Sequence, residues 1–300
     1  MKKIILLSGG SSEEREVSLI SSKAIFESLK RMDCDVTQYI LNGVDEISEF
    51  ISCLQREKPD VVFIGLHGGW GENGKIQSLL DLMQIKYTGS GAVASATAMD
   101  KILSSSIAES IGLDVPRFRI IAPEDKVDDY ELPFVIKPAD SGSSFGVSIV
   151  TEKEDVESAV KEAFKFSDRV MVQEFIDGKE MTVSVLNGEV LPEIEIRPQS
   201  GWYDYKNKYT KGCTDYITET LLKNEERMSL KKFAKLIFDY IGCRNYGRID
   251  FRYDGKKFYF LEINTLPGMT ELSLTPKAAL KAGIGFDDLI KNILKNANFN

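Results

Sequence analysis

Histidine is nearly absent from this sequence, since His67 is the one imidazole in 300 residues. Multi-histidine zinc centres and two-histidine iron triads are thereby excluded, because each needs more than one ring nitrogen. A Ser-His-Asp site would hang entirely on His67. Cysteine is scarce as well: Cys34, Cys53, Cys213 and Cys243 lie far apart with no C-x-x-C pair. Neither a zinc site nor a dense disulfide framework is indicated, and reduced thiols in a cytoplasm are expected. Basic charge is in deficit, with 38 Lys and Arg against 46 Asp and Glu, a net charge of −8. That balance argues against a nucleic-acid partner. Long apolar runs are missing too. Ile4-Ile5-Leu6-Leu7 stops at Ser8-Gly9-Gly10, short of the roughly 7 to 15 residues of a secretory h-region. Later runs such as Val61-Val62-Phe63-Ile64 are strand-sized, far below the roughly 20 residues of a membrane span. A soluble, unprocessed chain with no membrane partner is expected.

What is present is an ordinary globular composition, 43% hydrophobic and 28% charged, long enough for two or three packed units. Apolar periodicity predicts a strand over 3–8, a helix over 17–31 with Val17, Ile20 and Ala24 on one stripe, and a strand over 36–40. A helix over 45–57 and a strand over 61–66 follow. This βαβ grammar implies a small, mostly parallel sheet. Its ligand face lies at the carboxyl ends of the strands, where Ser8-Gly9-Gly10 and Leu66-His67-Gly68-Gly69 both fall. From about residue 93 the pattern changes to α+β. One helix is expected through Met99-Asp100-Lys101 to Ile111, then strands at 118–121, 133–137 and 147–150, a helix at 154–165 and a strand at 170–174. Strands at 180–186 and 189–196 precede a polar, Tyr-rich stretch at 198–216, long enough to suspect a functional loop. A helix at 225–241, strands at 248–253 and 258–263, and two terminal helical segments complete the chain.

Two strands around Asp254-Gly255 carry Arg248-Ile-Asp250 and Glu262-Ile-Asn264. A side-chain period of two puts Arg248 and Asp250 on one face of the first strand and Glu262 and Asn264 on one face of the second. In a two-residue hairpin Asp250 would oppose Tyr259 and the polar sets would point to opposite sides. A metal site therefore requires an odd-length turn or a bulge. Given one, two carboxylates and an amide oxygen converge as hard ligands for Mg²⁺ on nucleotide phosphates. A solvated sheet face explains the same pattern; Asn264 between apolar residues, just ahead of Pro267-Gly268, favours the metal.

Lys137-Pro138 leads into Asp140-Ser141-Gly142-Ser143-Ser144-Phe145-Gly146, a loop whose backbone N–H groups are able to form an anion nest. It is not a Walker loop, and taken alone it reads more readily as a ligand-free hairpin. Lys101 reads by itself as a solvated lysine. Val170 to Ile176, with Glu180 beyond, resembles a link between two lobes that reads a nucleobase and ribose, or equally an edge strand and turn. Ser11-Ser12-Glu13-Glu14 fits S-x-x-E, so spacing alone makes Glu14 a helix cap. His67, before two glycines at a strand end, is poorly placed for a core histidine and suits substrate contact; with no positioned nucleophile it takes no base role.

Taken in order, these segments resemble the D-alanine:D-alanine ligases of the ATP-grasp superfamily over essentially the whole chain. The resemblance is carried by Gly9-Gly10-Ser11-Ser12-Glu13-Glu14-Arg15-Glu16-Val17-Ser18, Leu66-His67-Gly68-Gly69 with Gly71-Glu72-Asn73-Gly74, Met99-Asp100-Lys101, Lys137-Pro138 and Gly142 to Gly146. Tyr203-Asp204-Tyr205-Lys206-Asn207-Lys208-Tyr209, Gly247-Arg248-Ile249-Asp250 and Glu262 to Thr270 continue it. Asp140-Ser141, Gly69-Trp70 and Asn73-Gly74-Lys75 depart from the family pattern without removing a ligand.

The resemblance implies an ATP-grasp fold of three domains, mixed α/β and α+β: a Rossmann-like βαβ domain over 1–93, a central domain over 94–176, and a C-terminal domain over 177–300 with a lid at 198–216. It implies ligation of two D-alanines through an acyl phosphate, for peptidoglycan synthesis and cell-wall biogenesis, by a cytoplasmic homodimer. ATP is the cosubstrate, with two Mg²⁺ ions that Mn²⁺ is able to replace, held by Asp250, Glu262 and Asn264. Lys101, Lys137, Ser144 and Lys208 match phosphate contacts; Gln173, Glu174, Phe175 and Ile176 the adenine; Glu180 the ribose. Arg248 and the Gly268 N–H match the oxyanion site. Glu14 matches the contact to the first D-alanine's ammonium, which overrides the capping preference, and Glu14, Ser143 and Tyr209 form a connecting chain. His67, Arg248, Ser273 and the Leu274 N–H match substrate contacts. Lys208-Tyr209 favours an amine acceptor. The rival expectations are a ligase taking D-serine second, and a nucleotide-binding regulator without turnover.

Overall fold

The structure is a computed structural model that describes residues 2–203, 207–208, 210, 212–270 and 273–299. β1 (Lys3–Gly9), α1 (Arg15–Arg31), β2 (Asp35–Leu41), α2 (Ile47–Glu57) and β3 (Val61–Ile64) form the first unit. Its sheet has the order β2-β1-β3, and both pairings are parallel. Ile4 to Leu7 and Val61 to Ile64 are buried without alternation, as a sheet covered on both faces requires. The two glycine-rich loops leave the carboxyl ends of β1 and β3 side by side, and Ser12 Oγ donates to the His67 carbonyl at 2.8 Å.

After β3 come a helical turn, α3 (Gly69–Glu72), and α4 (Lys75–Leu82), neither of which apolar periodicity predicts. α4 buries Ile76 and Leu80, an i, i+4 pair too short a stripe to stand out between glycines. The single helix expected through Asp100 is two, α5 (Ala92–Met99) and α6 (Lys101–Ser110). Asp100 breaks them: its backbone is extended, at φ −78° and ψ 103°, and its carboxylate accepts the N–H groups of Ile102 and Leu103 at 3.0 Å each. This N-cap starts a new helix on Lys101.

β4 (Phe118–Ile121), β5 (Phe134–Pro138), β6 (Ser148–Val150), α7 (Val156–Ala163) and β7 (Val170–Glu174) follow. They make an antiparallel sheet ordered β4-β7-β5-β6. The third sheet takes β8 (Lys179–Leu186), β9 (Glu189–Val190), β10 (Ile194–Pro198), β11 (Thr214–Ile217), β12 (Tyr246–Tyr253) and β13 (Phe258–Asn264). Its path is β11-β10-β8-β12-β13, with β9 on β8, and α8 (Asn224–Tyr240) packs Leu230, Ala234 and Ile237 against it. The strand expected over 189–196 is interrupted between β9 and β10 at Pro192, which has no N–H for the ladder. Two helices close the chain, α9 (Leu274–Lys281) and α10 (Phe286–Lys295). They return to the first unit, Leu289, Ile290 and Ile293 sharing a core with Ile4 to Leu7.

The hairpin of β12 and β13 decides which side chains meet. Tyr253 pairs with Phe258 across a four-residue loop, an even number that by itself leaves Glu262 on the wrong face. Between Asp250 and Phe251 the register shifts by one, so that Asp250 opposes Glu262 and Arg248 opposes Asn264. Leu261 is the extra residue of the resulting bulge. The bulge, not the turn, supplies the parity that the site requires.

Candidate active site

Two cavities, of about 510 and 650 Å³, flank the β12–β13 face. The smaller is walled by α1 and by Asn264, Leu266 to Gly268, Thr270, Ser273 and Leu274; the larger lies between the second and third sheets. Glu262, Lys208 and Tyr203 line both. A carboxylate and an ammonium therefore border both cavities.

Asp250 is the most constrained carboxylate. Arg248 reaches it with Nε to Oδ1 at 2.9 Å and a terminal guanidinium nitrogen to Oδ2 at 2.7 Å, Thr182 Oγ1 donates at 2.6 Å, and Asn264 Nδ2 lies 3.3 Å from Oδ2. Burial works against the Arg248 charge, but Asp250 holds the guanidinium firmly protonated. Burial also opposes the Glu262 charge, yet Lys101, Lys208, Lys137 and Arg248 hold its carboxyl well below the usual carboxylate range. Lys101 Nζ is 3.4 Å from Glu262 and donates to the Ser141 carbonyl at 2.6 Å. Buried at the start of α6, Lys101 is not the solvated lysine of the sequence pattern. Lys137, also buried, is pushed down to about 8, by burial first and by Lys101 second. Asp250, Glu262 and Asn264 thus lie on one face and carry the hard oxygens that suit Mg²⁺, and Asp250 spends its own on Arg248, Thr182 and Asn264 in this arrangement.

The loop after β5 turns through Ser143 and Ser144, both with positive φ (46° and 63°), and Ser144 Oγ donates to the Tyr203 carbonyl at 3.3 Å. Ser143 Oγ donates to Glu14. Glu14 is the N-cap residue of α1 but makes no side-chain cap, so the S-x-x-E capping box does not form. Its carboxylate instead sits between Gly68 and Gly142, where a Cβ on either glycine would run into Oε2. Tyr209, the third member of the expected chain, lies outside the described residues.

In the larger cavity Gln173 is buried and its Nε2 has no partner, a donor left for a ligand. The Glu174 N–H is given to the Arg117 carbonyl at 2.8 Å and the Ile176 carbonyl accepts Arg252 Nε at 3.0 Å. Arg252 also lies over the Phe175 ring. The Glu180 carboxyl is pushed up to about 7 by burial, against the pull of Lys208 and Arg252. In the smaller cavity Ser273 Oγ accepts the Thr270 N–H at 2.9 Å, and Ser273, Leu274 at the start of α9, and Gly268 line the wall together. His67 lines this cavity, yet it is a buried histidine with both ring nitrogens taken: Nδ1 by the Leu266 carbonyl at 2.8 Å and Nε2 by Ser21 Oγ at 2.9 Å. The placement that seemed unsuited to a core histidine is in fact a satisfied one.

Sequence reasoning gave no role to Ser21, Glu72 or Thr182. Glu72 is buried and accepts the N–H groups of Gly68 and Leu266 at 2.8 and 3.1 Å. Burial first and Glu14 second push its carboxyl up. A run of serines, Ser18, Ser21 and Ser22, on the buried side of α1 was the available signal for Ser21.

The sequence matches two family profiles, "D-ala D-ala ligase N-terminus" over residues 43–90 and "D-ala D-ala ligase C-terminus" over residues 107–295. The D-alanine–D-alanine ligase of Syntrophotalea carbinolica is 42% identical, the alignment covering 99% of this chain and 96% of that protein. That of Aquifex aeolicus is 40% identical, over 97% of this chain and 99% of the relative. Among solved structures, the D-alanine–D-alanine ligase of Bacillus anthracis superposes with a TM-score of 0.87 at 30% identity, covering 99% of this chain and 97% of that one. The same enzyme complexed with ATP gives 0.85 at 28% identity, over 99% and 97% of the two chains. The VanG D-Ala:D-Ser ligase of Enterococcus faecalis gives 0.82 at 27% identity, over 98% of each. An ATP-grasp architecture, two cavities bordered by the same Glu262 and Lys208, and full-length likeness agree, and the chain belongs to the D-alanine–D-alanine ligase family.

Proposed function

We propose that this chain joins two D-alanines into D-alanyl-D-alanine, converting ATP to ADP and phosphate, for peptidoglycan synthesis in the cytoplasm. The observation that carries the reading is the meeting of the two cavities at Glu262 and Lys208. A γ-phosphoryl group entering from the larger cavity would there reach a carboxylate held in the smaller one.

The base would lie against Gln173, Glu174, Phe175 and Ile176. It would be read by the unpartnered Gln173 Nε2 and the Ile176 backbone, since the Glu174 N–H is already given to the Arg117 carbonyl. Glu180 would take the ribose, and Lys101, Lys137, Lys208 and Ser144 the phosphates. Asp250, Glu262 and Asn264 would hold Mg²⁺, which when bound neutralises charge on the phosphates. Glu14, oriented by Ser143, would take the first D-alanine's ammonium. That substrate's carboxylate oxygen then attacks the γ-phosphorus, the bond to the bridging oxygen breaks, and ADP leaves an acyl phosphate. The amine of the second D-alanine, its own carboxylate on Ser273 and the Leu274 N–H, attacks the acyl carbon. Arg248 and the Gly268 N–H would hold the oxyanion of the tetrahedral intermediate, which expels phosphate as the attacking nitrogen passes its proton to that departing phosphate. Tyr209 belongs to the same proposal as the partner of Ser143 from the lid. So do a homodimer and a division into domains at 1–93, 94–176 and 177–300; three separate sheets support the division.

The test incubates the protein with ATP, Mg²⁺ and D-alanine, follows ADP, and identifies the dipeptide by mass. The likeness to a D-Ala:D-Ser ligase makes D-serine the competitor to include. ADP release with D-alanine alone supports the reading. Release only when D-serine is added moves the second substrate, and no release with any D-amino acid pair defeats the assignment.

A further inference from the structure

The turn at residues 266–269, which carries Gly268, is gripped at both ends by the first unit. At one end, Leu266 gives its N–H to Glu72 Oε1 at 3.1 Å, and its carbonyl meets His67 Nδ1 at 2.8 Å. At the other, the Met269 N–H is donated to Ser21 Oγ at 3.2 Å, and Ser21 Oγ is 2.9 Å from His67 Nε2. Glu72 uses its second oxygen on the Gly68 N–H at 2.8 Å, so the loop carrying His67 is fixed by the same carboxylate.

One proton arrangement satisfies every contact. The Leu266 carbonyl only accepts, so His67 carries its proton on Nδ1. Burial keeps the ring neutral, so Nε2 accepts the Ser21 hydroxyl proton. The Ser21 oxygen then keeps lone pairs for the Met269 N–H. We propose that Ser21, His67 and Glu72 are positioning residues that clamp the 266–269 turn and so aim the Gly268 N–H at the tetrahedral intermediate. The proposal rests on the role given to Gly268 above. It assigns His67 a backbone partner where a substrate contact was expected. Ser21 is fully buried and lines neither cavity, so any effect it has on the reaction passes through His67 and Met269. A displacement of about 1 Å at an aimed donor is able to cost on the order of 10²-fold in rate.

Ser21→Ala, His67→Asn and His67→Ala test this in the full chain. An Asn amide nitrogen is able to stand where Nδ1 stands, but it does not reach Ser21. In Ser21→Ala, kcat and the affinity for a phosphinate dipeptide mimic of the intermediate are both expected to fall by about tenfold, with the ATP KM and ADP affinity within about twofold of wild type. His67→Ala is expected to lose about 10²-fold and His67→Asn to recover most of it. Wild-type kcat and phosphinate affinity in Ser21→Ala would overturn the proposal, as would equal loss of ADP and phosphinate binding, or His67→Asn as impaired as His67→Ala. Thermal melts precede the kinetics, and His67→Asn decides the matter if Ser21→Ala does not fold. Wild-type protein that makes no dipeptide would count against the functional reading instead.

Discussion

Lys137 is buried at the larger cavity with its pKa pushed down to about 8, by burial first and Lys101 second. If only the ammonium form grips phosphate, it is almost wholly present at pH 7 and about a tenth present at pH 9. The ATP KM is therefore expected to rise by about tenfold over those two pH units, since bound polyphosphate restores the proton. Glu180, at about 7, and Glu72, also raised, complete most of their titration below the upper half of that range. The assay is the ATP KM at saturating D-alanine and Mg²⁺ from pH 7 to 9, with calorimetry in two buffers to count the proton taken up. Lys137→Met should bind ATP weakly at every pH and lose the slope. The sign for stability is the reverse. A lysine whose pKa is depressed on folding costs the ATP-free fold stability below the depressed value, and the cost fades as pH rises towards the ordinary lysine range. From 10.5 to about 8 this amounts to about 3 kcal/mol, an upper value. Lys137→Met is thus expected to melt higher than wild type at pH 7 without ATP. A flat ATP KM, or the same slope in Lys137→Met, would refute the reasoning.

Two further outcomes follow from the geometry. Glu262→Gln removes the anion on which Lys101, Lys137, Lys208 and Arg248 all act; turnover should fall by about 10³-fold or more while far-ultraviolet circular dichroism stays native, and wild-type activity would sink the metal assignment. Gly142→Ala would place a methyl against the Glu14 carboxylate, so the KM of the first D-alanine should rise by about tenfold or more with the ATP KM unchanged, as read from initial rates; an unchanged D-alanine KM would remove Glu14 from that subsite.

The parts of the architecture legible in the sequence were those with local periodicity. β1, α1, β2 and β3 follow from apolar runs and stripes, and the carboxyl-end placement of both glycine loops follows from parallel pairing. The break at Asp100 was hidden because Met99-Asp100-Lys101 reads as continuous helix until the carboxylate turns to cap Ile102 and Leu103. The convergence of Asp250 with Glu262 posed a parity problem that the sequence states but does not solve: an even loop and a bulge at Leu261 are not distinguishable there from an odd turn. Glu14 was ambiguous for a related reason, because its partner Ser143 is 129 residues away while the capping pattern is local. Glu72 gave no sign of its part and Ser21 only a buried run of serines on α1, since what they hold is a backbone turn about 200 residues or more downstream.

The most direct test of the central claim, that ATP and D-alanine meet where the two cavities join, is a crystal structure with ADP, Mg²⁺ and the phosphinate dipeptide mimic. The base should lie beside Gln173 to Ile176, the metal between Asp250, Glu262 and Asn264, and a phosphinate oxygen within hydrogen-bonding distance of Arg248 and the Gly268 N–H. Nucleotide in the smaller cavity, or a phosphinate held away from Gly268 and Arg248, would contradict it.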